Sequence, residues 1–98
     1  MKTFRALGCS VAVTSAVGAG FPDLVVGING LNIMVEIKDG AKPPSERRLT
    51  PAQVDFHGYW RGQIVVIETV DQVIALVAAV RGHLSVSRAF PSGTISVA

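Results

Sequence analysis

The stretch PDLVVGINGLNIMVEIK, residues 22 to 38, decides how this chain is expected to fold. Its two apolar runs are separated by Asn29-Gly30, and this dipeptide between apolar runs is the strongest short-range signal of a β-hairpin. If these two residues form the loop, Leu24 faces Val35 across the hairpin, and one side of the strand pair is wholly apolar. The sequence therefore predicts an antiparallel hairpin with one buried face.

The opposite side of the predicted hairpin carries charged residues. The same register places Asp23 directly across from Glu36, and Lys38 follows two residues later on the same side. Facing Cβ atoms in an antiparallel pair lie about 4.5–5.5 Å apart, so two like charges there destabilise a sheet unless something positive lies between them. Two carboxylates and an ammonium are thus predicted to converge at one sheet edge. A structural ion pair on an exposed face explains this pattern equally well.

Helix and strand signals continue on both sides of the hairpin. A helical turn over residues 3–7 and a strand over 9–16 precede it, and a continuous apolar strand over 63–68 follows it. Such a run is typical of a strand buried on both sides. With a helix before and after this last strand, the predicted order is helix, three strands, helix, strand, helix.

Both later helices have clear start signals. Thr50, followed by Pro51 and by Gln53 three residues after the cap, has the spacing of a capping box, and Thr69 with Gln72 repeats it. Gly62 is expected to end the first of these helices. The second is expected to end at Gly82, after a core stripe that consists of Val73, Leu76, Val77 and Val80.

Composition indicates one domain, over residues 1–82, with a tail over 83–98 that forms a hairpin or is disordered. The net charge of +2 is too small to identify a nucleic-acid binder, so any basic surface must be local. The longest apolar run, Val73 to Val80, is shorter than the ~20 residues of a membrane span, which predicts a soluble protein. Cys9 is the only cysteine, so an internal disulfide is excluded and a cytoplasmic location is expected.

The charged cluster has the composition of a metal site. Mg²⁺ prefers oxygen ligands, commonly one or two carboxylates together with water and substrate oxygens, and Asp23, Glu36 and the carbonyl of Ile37 can supply such ligands. Lys38 can orient an attacking water or neutralise charge on a phosphoryl oxygen. This combination of groups is suited to phosphodiester hydrolysis.

The motifs resemble those of the PD-(D/E)xK nuclease superfamily, and most closely its virus-type replication-repair nuclease (VRR-NUC) domains, small versions of which occur in phages. The matching stretches are GFPDLVVG, VEIKDG, RRLTPAQVDFHGYW and GQIVVIETVDQV, and they span roughly residues 18 to 77. The resemblance implies a restriction-endonuclease-like α/β core of order α-β-β-β-α-β-α, with a mixed central sheet flanked by helices.

The resemblance also implies a site and an activity. Asp23 and Glu36 match the metal-binding carboxylates, Lys38 the catalytic lysine, and Gln53 the glutamine supplied by the following helix. The implied activity is hydrolysis of DNA with Mg²⁺ or Mn²⁺, in the host cytoplasm for a phage protein. Standalone family members tend to form homodimers that act on branched DNA, such as junctions and flaps. The family usually has a longer first helix, often with an acidic or amide residue; here no acid precedes Asp23, which puts a second metal site in doubt.

Residues of the second predicted helix allow two interpretations. Gln53 is explained by the capping box alone, but it also shares a helix face with Phe56, His57 and Trp60, which favours a role at the site. His57 is interpreted as a packing residue rather than a metal ligand, because no second histidine lies at ligand spacing. Tyr59 and Trp60 are interpreted as core or interface anchors rather than as base-stacking residues.

The loop before this helix contains cations that are expected to contact the DNA backbone. They are Lys42, Arg47 and Arg48. A solvated loop is the alternative reading of these charges. The corresponding alternative for the whole chain is a non-catalytic DNA-binding or protein-interaction module that retains the nuclease fold.

Overall fold

The strand and helix order of the chain follows the prediction from its sequence. The computed structural model describes residues 1–88, and side chains as far as Gly82. The elements are α1 (Lys2–Ala6), β1 (Ser10–Val13), β2 (Leu24–Ile28), β3 (Leu31–Ile37), a short 3-10 helix (Pro44–Glu46), α2 (Pro51–Tyr59), β4 (Ile64–Ile67) and α3 (Val70–Arg88). Within these residues no helix is both long and apolar enough to cross a membrane.

The four strands form one mixed sheet in the order β1-β2-β3-β4. The first two pairings are antiparallel and the last is parallel. Leu24 pairs with Val35, as the Asn29-Gly30 loop predicts. Asn29 and Gly30 have φ values of 48° and 84°, and positive φ at both central residues is what a two-residue type I′ loop requires. The hairpin and its register are therefore confirmed.

One face of the sheet is covered by α1 and α3, which also contact each other. Phe4 enters the core from α1 and is fully buried, and Arg81 of α3 donates a hydrogen bond to the carbonyl of Leu7 at the end of α1. The buried apolar residues are Phe4, Cys9, Leu24, Val26, Ile28, Ile33, Val35, Ile67, Val73 and Val77. Leu76 and Val80 are partly buried against them, so the predicted stripe of α3 is confirmed.

Three boundaries differ from the prediction. β1 is shorter than residues 9–16, and α2 ends at Tyr59, before Gly62, because Trp60 already has an extended backbone. α3 continues through Gly82 to Arg88, which crosses the predicted domain boundary; a single glycine costs a helix only about 1 kcal/mol. The remaining tail, residues 89–98, lies outside the described part of the chain.

β4 is also less buried than its apolar sequence predicts. Ile67 is buried, but Ile64, Val65 and Val66 are only partly so. β4 is the edge strand on its side of the sheet, and an edge strand has a neighbour on one side only. An unbroken apolar run therefore does not require complete burial here.

Helix α2 has no buried residue, so its packing against the rest of the protein is loose. Gly20, with φ of 80°, lies so close to its first turn that a Cβ atom there would be 2.3 Å from the carbonyl oxygen of Ala52. Phe21, the next residue, makes an edge contact with Phe56 of α2 at 5.2 Å between ring centroids. The loop before β2 thus positions α2 against the sheet.

This close approach predicts that Gly20→Ala destabilises the protein more than Gly18→Ala. Both glycines have positive φ, 80° and 78°, so both variants carry the same backbone cost of about 1–2 kcal/mol. Only the Cβ at position 20 meets α2, since nothing lies within 4 Å of a Cβ at Gly18. Thermal unfolding of the two variants measures the difference, and equal melting temperatures would contradict this account of how α2 docks.

Candidate active site

Asp23 is held at the start of β2 by backbone and side-chain hydrogen bonds. Thr14 donates its N–H to the carbonyl of Asp23 at 2.7 Å and its hydroxyl to the carbonyl of Pro22 at 2.8 Å. The Asp23 Oδ2 atom accepts a hydrogen bond from the N–H of Ile37 at 2.9 Å. The carboxylate is therefore fixed against the end of β3, beside Glu36, as the hairpin register predicts.

Glu36 is a buried acid with an unpaired oxygen. Its side chain is only 2% exposed, and its Oε1 atom has no hydrogen-bond partner among the described residues. Burial, a hydrogen bond with Asp23 and the charge of Asp23 raise the pKa of Glu36 to about 7, while the charge of Lys38 lowers it. At neutral pH roughly half of the Glu36 carboxyl groups therefore keep their proton.

Lys38 and Gln53 are joined by a direct contact. Lys38 Nζ donates to Gln53 Oε1 at 2.9 Å, and the same oxygen accepts the N–H of Thr50 at 2.9 Å. The Gln53 N–H in turn donates to the Thr50 hydroxyl at 3.2 Å, which completes the capping box. The two interpretations of Gln53 are thus not alternatives, because one oxygen both caps α2 and holds Lys38.

The three candidate cations of the loop after β3 have different environments. Arg47 forms an ion pair with Glu68 at 3.0 Å, and Glu68 also accepts the N–H of Gly40 at its carbonyl at 3.1 Å. Arg47 therefore holds the loop at the end of β4. The sequence predicted a contact with DNA phosphate for Arg47 and did not indicate this ion pair. Lys42 and Arg48 are exposed.

His57 and Tyr59 of α2 differ in how far they are buried. His57 lies one turn after Gln53, and its Nε2 atom is buried without a partner among the described residues. Burial, and then the charge of Lys38, lower the pKa of His57. Both causes favour the neutral form of the imidazole. The i, i+4 spacing from Gln53 was the sequence signal for this proximity. Tyr59 is 71% exposed, so its interpretation as a core anchor is wrong.

The carboxylate pair is suited to a divalent cation. Within the described residues no three His, Cys, Asp or Glu side chains form a metal-binding group, and the side chains that would hold a cation here are the two carboxylates of Asp23 and Glu36. Mg²⁺ is commonly bound by one or two carboxylates, with waters and substrate oxygens completing its shell. The unpaired Glu36 oxygen is a ligand atom that nothing else in the described structure satisfies. The residues present therefore fit the metal.

The raised pKa of Glu36 predicts the pH dependence of stability without metal. The folded protein binds this proton more tightly than the unfolded chain, whose carboxyl has an ordinary pKa of 4.5. The contribution of Glu36 to the free energy of unfolding is complete below pH 4.5 and is lost as the pH rises to about 7. The loss is at most roughly 3 kcal/mol.

Urea unfolding in EDTA across this pH range measures the effect. Glu36→Gln is expected to remove this component of the pH dependence, whereas Glu46→Gln, which changes an exposed carboxyl on the 3-10 helix, is expected to keep it. Parallel stability curves for the wild type and Glu36→Gln would contradict the assigned pKa.

Comparison with known proteins identifies the family. No family model matches the chain, and no curated protein matches it. A solved structure described as "VRR_NUC domain" is similar over 79% of this chain and 84% of that chain, with 31% sequence identity and a TM-score of 0.59. The similarity covers most of both chains and agrees with the mixed sheet and its helices. The chain belongs to the VRR-NUC family of nuclease domains.

Proposed function

We propose that the protein is a deoxyribonuclease that hydrolyses phosphodiester bonds with Mg²⁺ or Mn²⁺. The observation that carries the proposal is the buried Glu36, with an unpaired oxygen, beside the fixed carboxylate of Asp23. Burying a carboxylate next to another is unfavourable unless a cation or a proton compensates the charge. Such a pair, next to a lysine at the ends of the two central strands, is expected where a metal binds during catalysis.

Each residue of the site has a distinct proposed role. Asp23, Glu36 and the carbonyl of Ile37 would hold the metal, which supplies a more acidic bound water and neutralises charge on a phosphoryl oxygen. Lys38 donates one N–H to Gln53, and an ammonium has three N–H donors. Its two others are available to orient the attacking water and the phosphate. Gln53 acts through Lys38 as a positioning residue.

Backbone contacts to DNA are proposed for the exposed loop cations. Lys42 and Arg48 are exposed on the segment that follows the Glu36 strand, so they can neutralise phosphates that flank the cleaved bond. Arg47 contributes by holding this segment to Glu68, and its own contact with phosphate would compete with that ion pair.

The protein is further proposed to act as a homodimer on junction or flap DNA, as the resemblance implies. β1 is an edge strand of the sheet, and an unprotected edge can pair with a second copy. Val13 on this strand is 56% exposed, and Val17 just after it is 61% exposed. Sedimentation equilibrium tests this proposal, and a monomer at all protein concentrations would contradict it.

The carboxylates are expected to be required for both metal binding and cleavage. Wild-type protein should cut DNA in Mg²⁺ or Mn²⁺ but not in EDTA, in assays on a four-way junction, a flap and a linear duplex. Asp23→Asn and Glu36→Gln should abolish cleavage and weaken Mn²⁺ binding in calorimetry, because each removes a ligand charge. Glu46→Gln is the matched control and should retain both. A wild type that neither binds Mn²⁺ nor cuts any substrate would favour the non-catalytic module.

Gln53 Oε1 accepts hydrogen bonds from both Lys38 and Thr50. Truncating Gln53 should therefore lower activity as well as stability. Gln72 makes a similar pair of contacts at the start of α3: its N–H donates to the hydroxyl of Thr69, and its Oε1 accepts the N–H of Glu68, one residue before Thr69. Gln53→Ala and Gln72→Ala should each cost about 1 kcal/mol of stability.

Only Gln53→Ala releases Lys38, so it alone should lower the cleavage rate, about ten- to hundredfold. Urea unfolding and initial cleavage rates of the two variants make the comparison. Equal cleavage rates would show that Gln53 serves only as a helix cap.

A further inference from the structure

A surface groove lies at the C-terminal end of α2. It has a volume of about 280 Å³ and is lined by Tyr59, Trp60, Arg61 and Gly62, and we call it the aromatic groove. None of these residues belongs to the metal site or to the cations assigned to DNA. Tyr59 is 71% exposed, which excludes a role as a core anchor.

The two aromatic rings of the groove, those of Trp60 and Tyr59, are packed to different extents. Trp60 stacks on Phe56, with ring centroids 5.5 Å apart and planes at 13°. A Cβ at Gly62 would lie 2.6 Å from Trp60 Nε1, so glycine at this position allows the indole to lie against the backbone. Tyr59 is 6.5 Å from Trp60 and tilted by 60°. Trp60 is thus a supported wall of the groove, beside which Tyr59 presents its ring to solvent.

Charge distinguishes this groove from its neighbour. Arg61 lines the aromatic groove and is exposed, whereas Asp55 lines a second groove that is also lined by Tyr59. Aromatic rings beside a cation suit a nucleobase that carries its phosphate, because the rings stack on the base and the cation attracts the phosphate. Asp55 would repel the same phosphate, so only the aromatic groove has the charge that this ligand needs.

The position of the groove relates it to the metal site. Tyr59 follows Gln53 by six positions in α2, which corresponds to about 9 Å along the helix axis. Gln53 contacts Lys38 of the site, so one short helix carries both a site contact and the groove, and a DNA strand bound at the site can extend to the groove.

We propose that the aromatic groove binds an unpaired nucleobase of the DNA strand that is cleaved at the metal site. A base inside a duplex is stacked on both faces and cannot lie on an aromatic side chain, so the groove favours DNA with a single-stranded or opened segment. This inference rests on the proposed nuclease function and gives it a substrate class.

Base binding can be measured separately from cleavage. Trp60 is the only tryptophan of the chain, so its fluorescence reports on the groove directly. With EDTA present, an oligothymidylate is expected to quench this fluorescence, and a blunt duplex of equal length much less. Tyr59→Ala should weaken oligothymidylate binding about tenfold, and Tyr59→Phe should bind like the wild type because stacking needs the ring. Val54→Ala truncates another exposed residue of α2, 54% exposed, and should change nothing.

Cleavage then tests the position of the base. In a series of flap substrates that each carry one abasic nucleotide at a different distance from the cut, at least one should be cleaved more slowly by the wild type than the intact flap. Tyr59→Ala should cleave the intact flap more slowly and should be insensitive to the abasic position, because the same contact is already lost. Cleavage of linear duplex should be equal for the two proteins.

The possible outcomes separate the two proposals. If the wild type cleaves DNA but neither Tyr59→Ala nor the abasic position has an effect, the groove inference is wrong and the nuclease proposal stands. If the wild type cleaves nothing, the nuclease proposal fails, and quenching that depends on Tyr59 still supports base binding. If Tyr59→Ala turns a dimer into a monomer in sedimentation while oligothymidylate binding is unchanged, the groove contacts a second copy and the inference is overturned.

Discussion

The pairing of β2 with β3 is the constraint on which both the core and the site depend. The Asn29-Gly30 loop sets the register, and residues that alternate along the two strands are thereby assigned to opposite faces. Leu24 and Val35 are buried against the helices, and the other face brings Asp23 to Glu36. A slip of one residue would exchange the two faces, so it would destroy the apolar core and the carboxylate pair together.

Helix α2 is the element that connects the sheet to the functional groups around it. It has no buried residue, so packing alone does not determine its position. The close approach of Gly20 and the contact between Lys38 and Gln53 hold its first turn, where the polar groups of the site lie. Its C-terminal end carries Tyr59 and Trp60. This loosely packed helix thus has a polar contact at one end and an exposed aromatic ring, that of Tyr59, at the other.

The buried acid shows how the site departs from what stability alone would favour. A carboxylate with an unpaired oxygen, 2% exposed and next to a second carboxylate, is an unfavourable arrangement in the absence of a ligand. The raised pKa of Glu36 expresses the same cost, since the group keeps a proton at a pH where an exposed glutamate has lost it. The surrounding apolar core supplies the stability that allows this arrangement.

Much of the structure follows from local patterns in the sequence. The hairpin register, the capping box of α2, the stripe of α3 and the order of elements all depend on residues close together in the chain, so they could be predicted. The pairing of Asp23 with Glu36 followed from the same register, and the family motifs marked Lys38 and Gln53. The predicted end of the helix at Gly82 was wrong because a single glycine costs a helix only about 1 kcal/mol and does not by itself end it.

Outside the hairpin, only the tertiary structure decided which side chains meet across elements. The Oε1 atom of Gln53 in α2 accepts a hydrogen bond from Lys38, and Arg47 forms an ion pair with Glu68. The Nε2 atom of His57 is buried in the folded protein. Tyr59 remains exposed because the helix turns its ring away from the core. The sequence by itself determined the strand pairing and the carboxylate pair, since turn chemistry and a two-residue period are local. The rest depends on how α2 and the loops pack, which no local pattern specifies.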